Sequence, residues 1–453
     1  MRKIYKTKDI VLTGFALFAM LFGAGNLIFP PTVGYIVGDN WKLAAFGFCI
    51  TGIGFPLMGI IASGFAGTEL DHFSDKVSPL FSRIFNTVLI LAIGPFLAIP
   101  RTGATAYEIM VLPHLDGDSS ILKYLFLAIY FGVVLLFSLR ESEVIDRIGK
   151  ILTPILLIVL AIIIFKGVST PIGEVVATGT TNNFRYGFYN GYQTMDTLAA
   201  IIFASIILKT ITGKNKDLGR KEQLVFLLKA SGIAVLGLAI VYGGLLYIGA
   251  TSTAVLENRG TTQLLNDIIA RLLGKTGNIL LGICVAGACL TTAIGLTATV
   301  GDYFSSILKI KYEKIVIINV LVSFIFASFG VDLIVQIAAP ILTFIYPIAI
   351  VLIVLNFFKK YLGSRGVFIG CVIGAGLIGA VETLQMLGVS LEVYKLIINF
   401  YVSEGNFFFT GILTPVSLYE LYEKLPFQDY GLAWILPSIV FGVVFRVIEK
   451  IKK

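Results

Sequence analysis

The sequence predicts an all-α polytopic membrane protein with twelve transmembrane helices. Of its 453 residues, 57% are hydrophobic and only 14% are charged, whereas soluble globular proteins usually carry about 25% charged residues. Apolar stretches of about 20 residues, long enough to span hydrocarbon as a helix, recur along nearly the whole chain. They are continuous rather than short and alternating, which disfavours a transmembrane barrel. We therefore expect residues 1–453 to form a single membrane domain.

The predicted helices are called spans 1 to 12. Their approximate extents are 10–37, 42–67, 81–112, 121–139, 144–166, 186–212, 223–249, 276–308, 314–329, 331–358, 366–388 and 431–448. The connections on the side of the amino terminus hold about 24 Lys and Arg residues, and the opposite connections hold about nine. Because cytoplasmic loops are enriched in Lys and Arg, both termini are expected to face the cytoplasm. A nucleic-acid binder would instead concentrate basic residues on a soluble patch.

Span 1 is interrupted in its middle. The stretch LFGAGNLIFPP at 21–31 places two glycines, an asparagine and two prolines inside apolar sequence. Free backbone groups are tolerated at membrane depth only where they are buried in protein or line a watery cavity. A packed glycine kink with a capped asparagine is one explanation. The favoured interpretation is a discontinuous helix whose loose ends bind a solute.

Span 6 is interrupted in a similar way. Its sequence YGFYNGYQTMDTLAAIIF begins at Tyr186 and places Asp196 within membrane depth. An ionisable residue at this depth indicates a functional site by default. The alternative is that Asp196 is a buried hydrogen-bond acceptor that ties two helices together.

The two breaks predict an internal repeat. Spans 1–5 cover 10–166 and spans 6–10 cover 186–358. Because five is odd, the second repeat starts from the opposite side of the membrane and is inverted. Two accessory helices follow within 366–448. Discontinuous helices at matching positions of two inverted repeats indicate a transporter site near the bilayer midplane.

The motifs GAGNLIFPP and GYQTMD resemble those of the bacterial branched-chain amino-acid:cation symporter family. That family has the leucine-transporter fold of the amino acid–polyamine–organocation superfamily, and the resemblance covers nearly the whole chain. It implies a bacterial cytoplasmic-membrane symporter that imports leucine, isoleucine and valine by alternating access, driven by an inward Na+ gradient. The alternatives are proton coupling, through Asp196 or Glu108, and a non-transporting sensor with the same site. No obligate protein partner is evident from the sequence.

The resemblance and the chemistry of an amino acid together imply a substrate site. The N-terminus of a half-helix offers N–H groups and positive partial charge to a carboxylate, and unwound carbonyls suit an ammonium group. The expected substrate-binding residues are Leu21, Ala24, Gly25, Asn26, Gly191, Tyr192, Gln193 and Asp196. An apolar pocket for the side chain is expected between spans 1, 3, 6 and 8.

The resemblance also implies a sodium site, because Na+ shares the preference of hard cations for oxygen ligands. Its expected ligands are Ala288, Thr291 and Thr292 of span 8, together with the carbonyls of Ala19 and Phe22. The alternative for both threonines is a hydrogen bond to a carbonyl of the preceding helical turn.

Arg101 and Glu108 of span 3 are seven residues apart and therefore share a helix face. Because a buried arginine needs a partner, the two are expected to form a gate or a structural pair. The stretch 261–274 has helical apolar spacing and predicts a lid over the outer mouth or a helix resting on the interface. A re-entrant or interfacial hairpin is expected within 389–430.

Other classes of protein are not favoured by the sequence. A channel would need a continuous polar path, whereas these interruptions are local. No nucleophile–base set, C-x-x-C pair or phosphate-binding G-x-x-x-x-G-K-[ST] loop is present, so we expect neither an enzyme nor an ATP-driven pump.

Overall fold

The computed structural model describes residues 7–66, 70–115, 119–139, 143–203, 220–257, 260–389, 392–403 and 406–452. Helices dominate these residues. In chain order the helices and strands are α1 Thr7–Leu21, α2 Ala24–Val37, α3 Trp41–Cys49, α4 Phe55–Ala66, α5 Pro79–Leu91, α6 Ala98–Met110, α7 Ser120–Ser138, α8 Glu143–Ser169, α9 Asn183–Tyr192, α10 over 196–203, α11 Arg220–Ser252, α12 Thr261–Leu308, α13 Tyr312–Ala327, α14 Val331–Phe357, α15 Lys359–Leu362, α16 Arg365–Met386, β1 Glu392–Ser403, β2 Asn406–Ser417, α17 Leu418–Glu423 and α18 Ile435–Ile451.

Both predicted interruptions are present. Span 1 is divided into α1 and α2, and span 6 is divided into α9 and α10. Two further spans contain a wider π turn, at Ile50–Gly54 between α3 and α4 and at Ala92–Phe96 between α5 and α6. Such turns inside helices often mark functional sites.

Seven helical stretches among the described residues are long and apolar enough to cross a membrane, and Pro154–Ser169 is a shorter apolar helix. The other predicted spans consist of shorter pieces, such as the 15-residue α1 and the 17-residue α18. Large apolar side chains point outward from several helices, for example Ile121 and Phe165, which are 80% and 76% exposed. A water-soluble monomer rarely exposes a contiguous apolar surface, so these side chains fit a lipid environment.

Direct backbone contact fixes α2 against α11. A Cβ atom added to Gly34 would overlap the carbonyl of Leu246, and one added to Gly249 would overlap the carbonyl of Pro31. Small residues at such crossings let membrane helices approach closely. The glycines therefore place the second half of span 1 beside span 7.

The amphipathic stretch at 261–274 is helical and buried. Gly274, with φ of 69°, separates it from the rest of α12. The five apolar side chains at helical spacing are at most 5% exposed, so the stretch packs into the protein and does not merely rest on the interface. These side chains are Leu264, Leu265, Ile268, Ile269 and Leu272.

The stretch 389–430 contains a hairpin, but its arms are strands. β1 and β2 pair antiparallel, from Glu392 opposite Ser417 to Ser403 opposite Asn406. Apart from this hairpin, the regular elements among the described residues are helical.

A substitution pair on α11 tests the close packing of α2. Gly249→Ala should lower the melting temperature in detergent, because overpacking typically costs about 1–3 kcal/mol. Gly243→Ala on the same helix is the matched control, since its added Cβ meets no other described atom within 4 Å. Alanine there should be neutral or stabilising by up to about 1 kcal/mol. Equal melting temperatures for the two variants would contradict the packing described for Gly249.

Candidate functional site

The break in span 1 is held open by Asn26. α1 ends at Leu21 and α2 begins at Ala24. The backbone N–H of Gly23 donates to Asn26 Oδ1 at 2.8 Å, and the N–H of Asn26 donates to the carbonyl of Gly23 at 3.2 Å. The N–H groups of Ala24 and Gly25 open the helix, and such groups have no acceptor within their own helix. The start of α2 can therefore donate to an external acceptor.

The break in span 6 is a tight turn that uses its own carbonyls. The carbonyl of Gly191 accepts from Thr194 N at 3.3 Å and from Thr194 Oγ1 at 2.8 Å. The carbonyl of Tyr192 accepts from Met195 N at 2.9 Å, and Met195 has a left-handed φ of 62°. Because a carbonyl has two lone pairs, that of Gly191 is fully used. The Gly191 carbonyl is therefore less suited to an ammonium group than the sequence suggested, whereas the Tyr192 carbonyl accepts only this one hydrogen bond within the turn.

The two breaks are joined by a buried hydrogen-bonded triad of Asn26, Asp196 and Tyr242. Asn26 Nδ2 donates to Asp196 Oδ2 at 2.7 Å and also to the Tyr242 hydroxyl. The Tyr242 hydroxyl donates to the same Asp196 oxygen at 2.8 Å. All three residues are at most 2% exposed. Asp196 thus ties α10 to α2 and α11, as one interpretation of the sequence proposed.

Arg101 is buried beside the same breaks. Its side chain is 3% exposed, and its Nη1 donates to the carbonyl of Gln193 at 2.6 Å. Its guanidinium lies 5.2 Å from the centre of the Phe29 ring. A Cβ atom on Gly25 would lie 2.8 Å from Arg101 Nη2. The glycine therefore lets the guanidinium approach the start of α2 closely.

The predicted pair of Arg101 and Glu108 is wrong. Glu108 Oε2 accepts from Thr262 Oγ1 at 2.5 Å, and Oε1 accepts from the N–H of Val331 at 2.9 Å. Seven residues on a helix correspond to about 10 Å along its axis, so the two side chains meet different neighbours. Glu108 lies at the N-terminus of α14, where a negative charge is favourable. It fastens α6 to α14 and to the buried start of α12.

The threonines expected to bind sodium both donate to one carbonyl of their own helix. Thr291 Oγ1 and Thr292 Oγ1 lie 2.9 and 3.0 Å from the carbonyl oxygen of Ala288. A hydroxyl that donates its proton keeps lone pairs for a cation, so this arrangement fits both interpretations. Of the other expected ligands, Ala19 is half-buried and Phe22 is 2% exposed, with its ring stacked on Phe18.

A cavity of about 40 Å³ lies between the breaks. It is lined by Leu21, Gly23, Ala24, Asn26, Ile93, Ala98, Arg101, Thr102, Thr194, Met195, Asp196, Ala199, Phe203, Thr292 and Leu296. These residues come from spans 1, 3, 6 and 8, the four that the sequence analysis named. A water molecule needs roughly 10–15 Å³ on this measure, so the cavity holds only a few waters and side chains must move to admit a larger solute.

The cavity unites some of the expected residues and excludes others. Two of them turn away from it: Gly191 packs against Thr51, and Tyr192 stacks on Tyr346 with ring centres 4.0 Å apart. The sequence analysis did not identify Ile93, in the π turn before α6, as a residue that lines the cavity. The Gly-Pro pair inside this turn typically indicates a local break, so the sequence did contain a signal for it.

Comparison with known proteins identifies relatives along the whole chain. The model of the family described as "Branched-chain amino acid transport protein" matches residues 6–452. The chain is 40% identical to the branched-chain amino acid permease BraB of Bacillus subtilis, covering 99% of this chain and 97% of BraB. It is 36% identical to the branched-chain amino acid permease BrnQ of the same organism, covering 98% and 97%.

A solved structure shares the fold. The crystal structure of MhsT in complex with L-phenylalanine superposes with a TM-score of 0.55, covering 83% of this chain and 97% of that one, at 18% identity. At this identity the likeness concerns the fold alone, which is the leucine-transporter fold.

Removing one hydroxyl tests whether the triad holds the breaks together. Tyr242→Phe keeps the ring, which packs edge-on against Phe48, but leaves Asp196 with one donor fewer. A hydrogen bond to a charged group is worth about 1.5–3 kcal/mol, so the melting temperature should fall. Tyr247→Phe on the same helix is the control and should change stability by less than about 0.5 kcal/mol. If Tyr242→Phe melts like the control, the triad does not stabilise the breaks.

Proposed function

The chain belongs to the branched-chain amino acid transport family, and on this premise we propose that it is a symporter coupled to an inward Na+ gradient. Its substrates are leucine, isoleucine and valine, which it carries into a bacterial cell across the cytoplasmic membrane. The observation that supports this most directly is the charge pattern of the cavity. Asp196 lies on one wall, and the N-terminus of α2 opens on another.

This pattern suits a zwitterionic amino acid. The ammonium group binds beside Asp196, whose carboxyl group the triad holds in place. The carboxylate binds at the N–H groups of Ala24 and Gly25, where the helix dipole is positive. The apolar side chain lies against Ala199 and Phe203, which also line the cavity. A site with charge at one end and apolar walls at the other selects an aliphatic amino acid.

The architecture proposed for transport is the one that the sequence predicts. Twelve spans include two inverted repeats of five, at 10–166 and 186–358, and both termini lie in the cytoplasm. The small cavity corresponds to a closed stage of alternating access, because a substrate of several carbon atoms needs more room than a few waters. The buried start of α12 acts as a lid on the outer side, fastened through Glu108.

The proposed Na+ site lies between the span 1 break and α12. Its ligands are the hydroxyls of Thr291 and Thr292 and the carbonyls of Ala19, Phe22 and Ala288. Both hydroxyls lie within 3.0 Å of the Ala288 carbonyl oxygen, so three of these oxygens are already grouped. Because both hydroxyls donate to that carbonyl, the ion would replace these two hydrogen bonds. Thr292 and Leu21 line the same cavity, so an ion here would be near the substrate. This proximity explains how the two would bind cooperatively.

Uptake of labelled leucine into proteoliposomes tests the proposed function. An inward Na+ gradient should drive accumulation, and an equal K+ gradient should not. Accumulation driven by an inward proton gradient alone would favour the proton-coupled alternative. Saturable leucine binding without any uptake, in vesicles that contain correctly folded protein, would favour the sensor.

The sodium site predicts a selective loss in Thr292→Val. Valine keeps the volume but removes one oxygen, and losing an interaction with a charged group costs about 1.5–3 kcal/mol. The Na+ concentration for half-maximal uptake should therefore rise on the order of tenfold or more. Leucine affinity at saturating Na+ should change much less.

The matched control is Thr299→Val, which removes a hydroxyl that makes the same kind of bond, to the carbonyl of Gly295 at 2.9 Å. Its Na+ dependence should be that of the unaltered protein. Unaltered Na+ dependence in Thr292→Val as well would place the coupling ion elsewhere.

A further inference from the structure

Arg101 is buried at a cost that its partners within the protein do not offset. A charged side chain at membrane depth is expensive and normally pairs with an opposite charge or with backbone carbonyls. The one hydrogen bond that the structure describes for the guanidinium goes to the neutral carbonyl of Gln193. Its Nε is buried with no hydrogen-bond partner among the described residues. The guanidinium therefore has donor capacity left for another acceptor.

The surroundings of Arg101 favour an anion as the additional hydrogen-bond acceptor. The guanidinium lies against Gly25, in the first turn of α2, where the helix dipole is also positive. The guanidinium and the N-terminus of α2 repel each other unless a negatively charged group lies between them. Asp196 attracts Arg101 across the cavity, but no hydrogen bond joins the two among the described residues, and Asp196 Oδ2 is already held by Asn26 and Tyr242. The cavity that Arg101 lines is thus prepared for a further anionic group.

We propose that Arg101 binds the α-carboxylate of the substrate, together with the N–H groups at the start of α2. This inference rests on the proposed function and deepens it, because it makes Arg101 a determinant of specificity for amino acids over amines. A guanidinium has five donors in a planar fork that matches a carboxylate with two parallel hydrogen bonds. Arg101 also links recognition to the span 6 break, since the same side chain holds the carbonyl of Gln193.

The test compares leucine with leucinol, in which a hydroxymethyl group replaces the carboxylate. Both affinities are measured on purified protein by displacement of labelled leucine or by calorimetry. Arg101→Gln should weaken leucine binding on the order of ten- to hundredfold, because it removes hydrogen bonds between a charged guanidinium and the carboxylate. It should change leucinol binding little, so the preference for leucine over leucinol should collapse. Arg101→Lys should keep part of the preference, because it retains the charge without the fork.

Arg185→Gln is the matched control. Arg185 lies 5.4 Å from the centre of the Tyr189 ring, as Arg101 lies over Phe29, but it does not line the cavity. The preference of the Arg185→Gln variant for leucine over leucinol should equal that of the unaltered protein. Gly25→Ala keeps Arg101 but pushes against its Nη2. Because the N–H of Gly25 is itself proposed to bind the carboxylate, this variant tests the whole carboxylate site and not Arg101 alone. It should lower leucine affinity more than leucinol affinity even if both Arg101 variants fail to fold.

The outcomes separate this inference from the proposed function. Equal losses of leucine and leucinol binding in Arg101→Gln and Gly25→Ala would mean that Arg101 only supports the span 6 break. Unchanged leucine binding in Arg101→Gln would overturn the inference directly. In both cases leucine binding by the unaltered protein leaves the proposed function standing, whereas its absence would contradict the proposed function itself.

Discussion

A backbone group that loses its helical partner inside a membrane must find another partner within the protein. This constraint governs the centre of the molecule, where two helices are broken. Asn26 accepts from the N–H of Gly23 at the first break, and Thr194 donates to the carbonyl of Gly191 at the second. Arg101 donates a hydrogen bond to the carbonyl of Gln193. The breaks persist because side chains replace the missing helical hydrogen bonds, and the cavity exists because the breaks persist.

The groups that satisfy the breaks also give the cavity its chemistry. Asn26 caps α2 and at the same time donates to Asp196, so the first break sets the position of the acidic side chain. Arg101 stabilises the second break while facing the start of α2. Under the proposed function, structural and recognition roles therefore coincide in these residues. A solute that binds either charge also acts on the helix break next to it, which is the property that coupling of binding to helix movement requires.

Sequence reasoning found the two breaks because asparagine and aspartate are unusual inside apolar spans, and because the glycines and prolines beside them are poor residues for an uninterrupted helix. It failed for Arg101 and Glu108 because helical spacing identifies a shared face but not the neighbour across it. The true partners of Glu108 are 154 and 223 residues away. Tyr242, 216 residues from Asn26, lies in an otherwise apolar run that carried no signal. Close helix packing likewise depends on which glycines meet, and this is known only from the assembled fold.

The central claim is that the cavity between the two breaks binds a branched-chain amino acid as a zwitterion. An experimental structure of the protein with leucine and Na+ tests it most directly. The carboxylate is expected at the start of α2 within hydrogen-bond distance of Arg101, the ammonium beside Asp196 and the side chain against Phe203. Leucine bound outside this cavity, or with its carboxylate directed toward Asp196, would contradict the account.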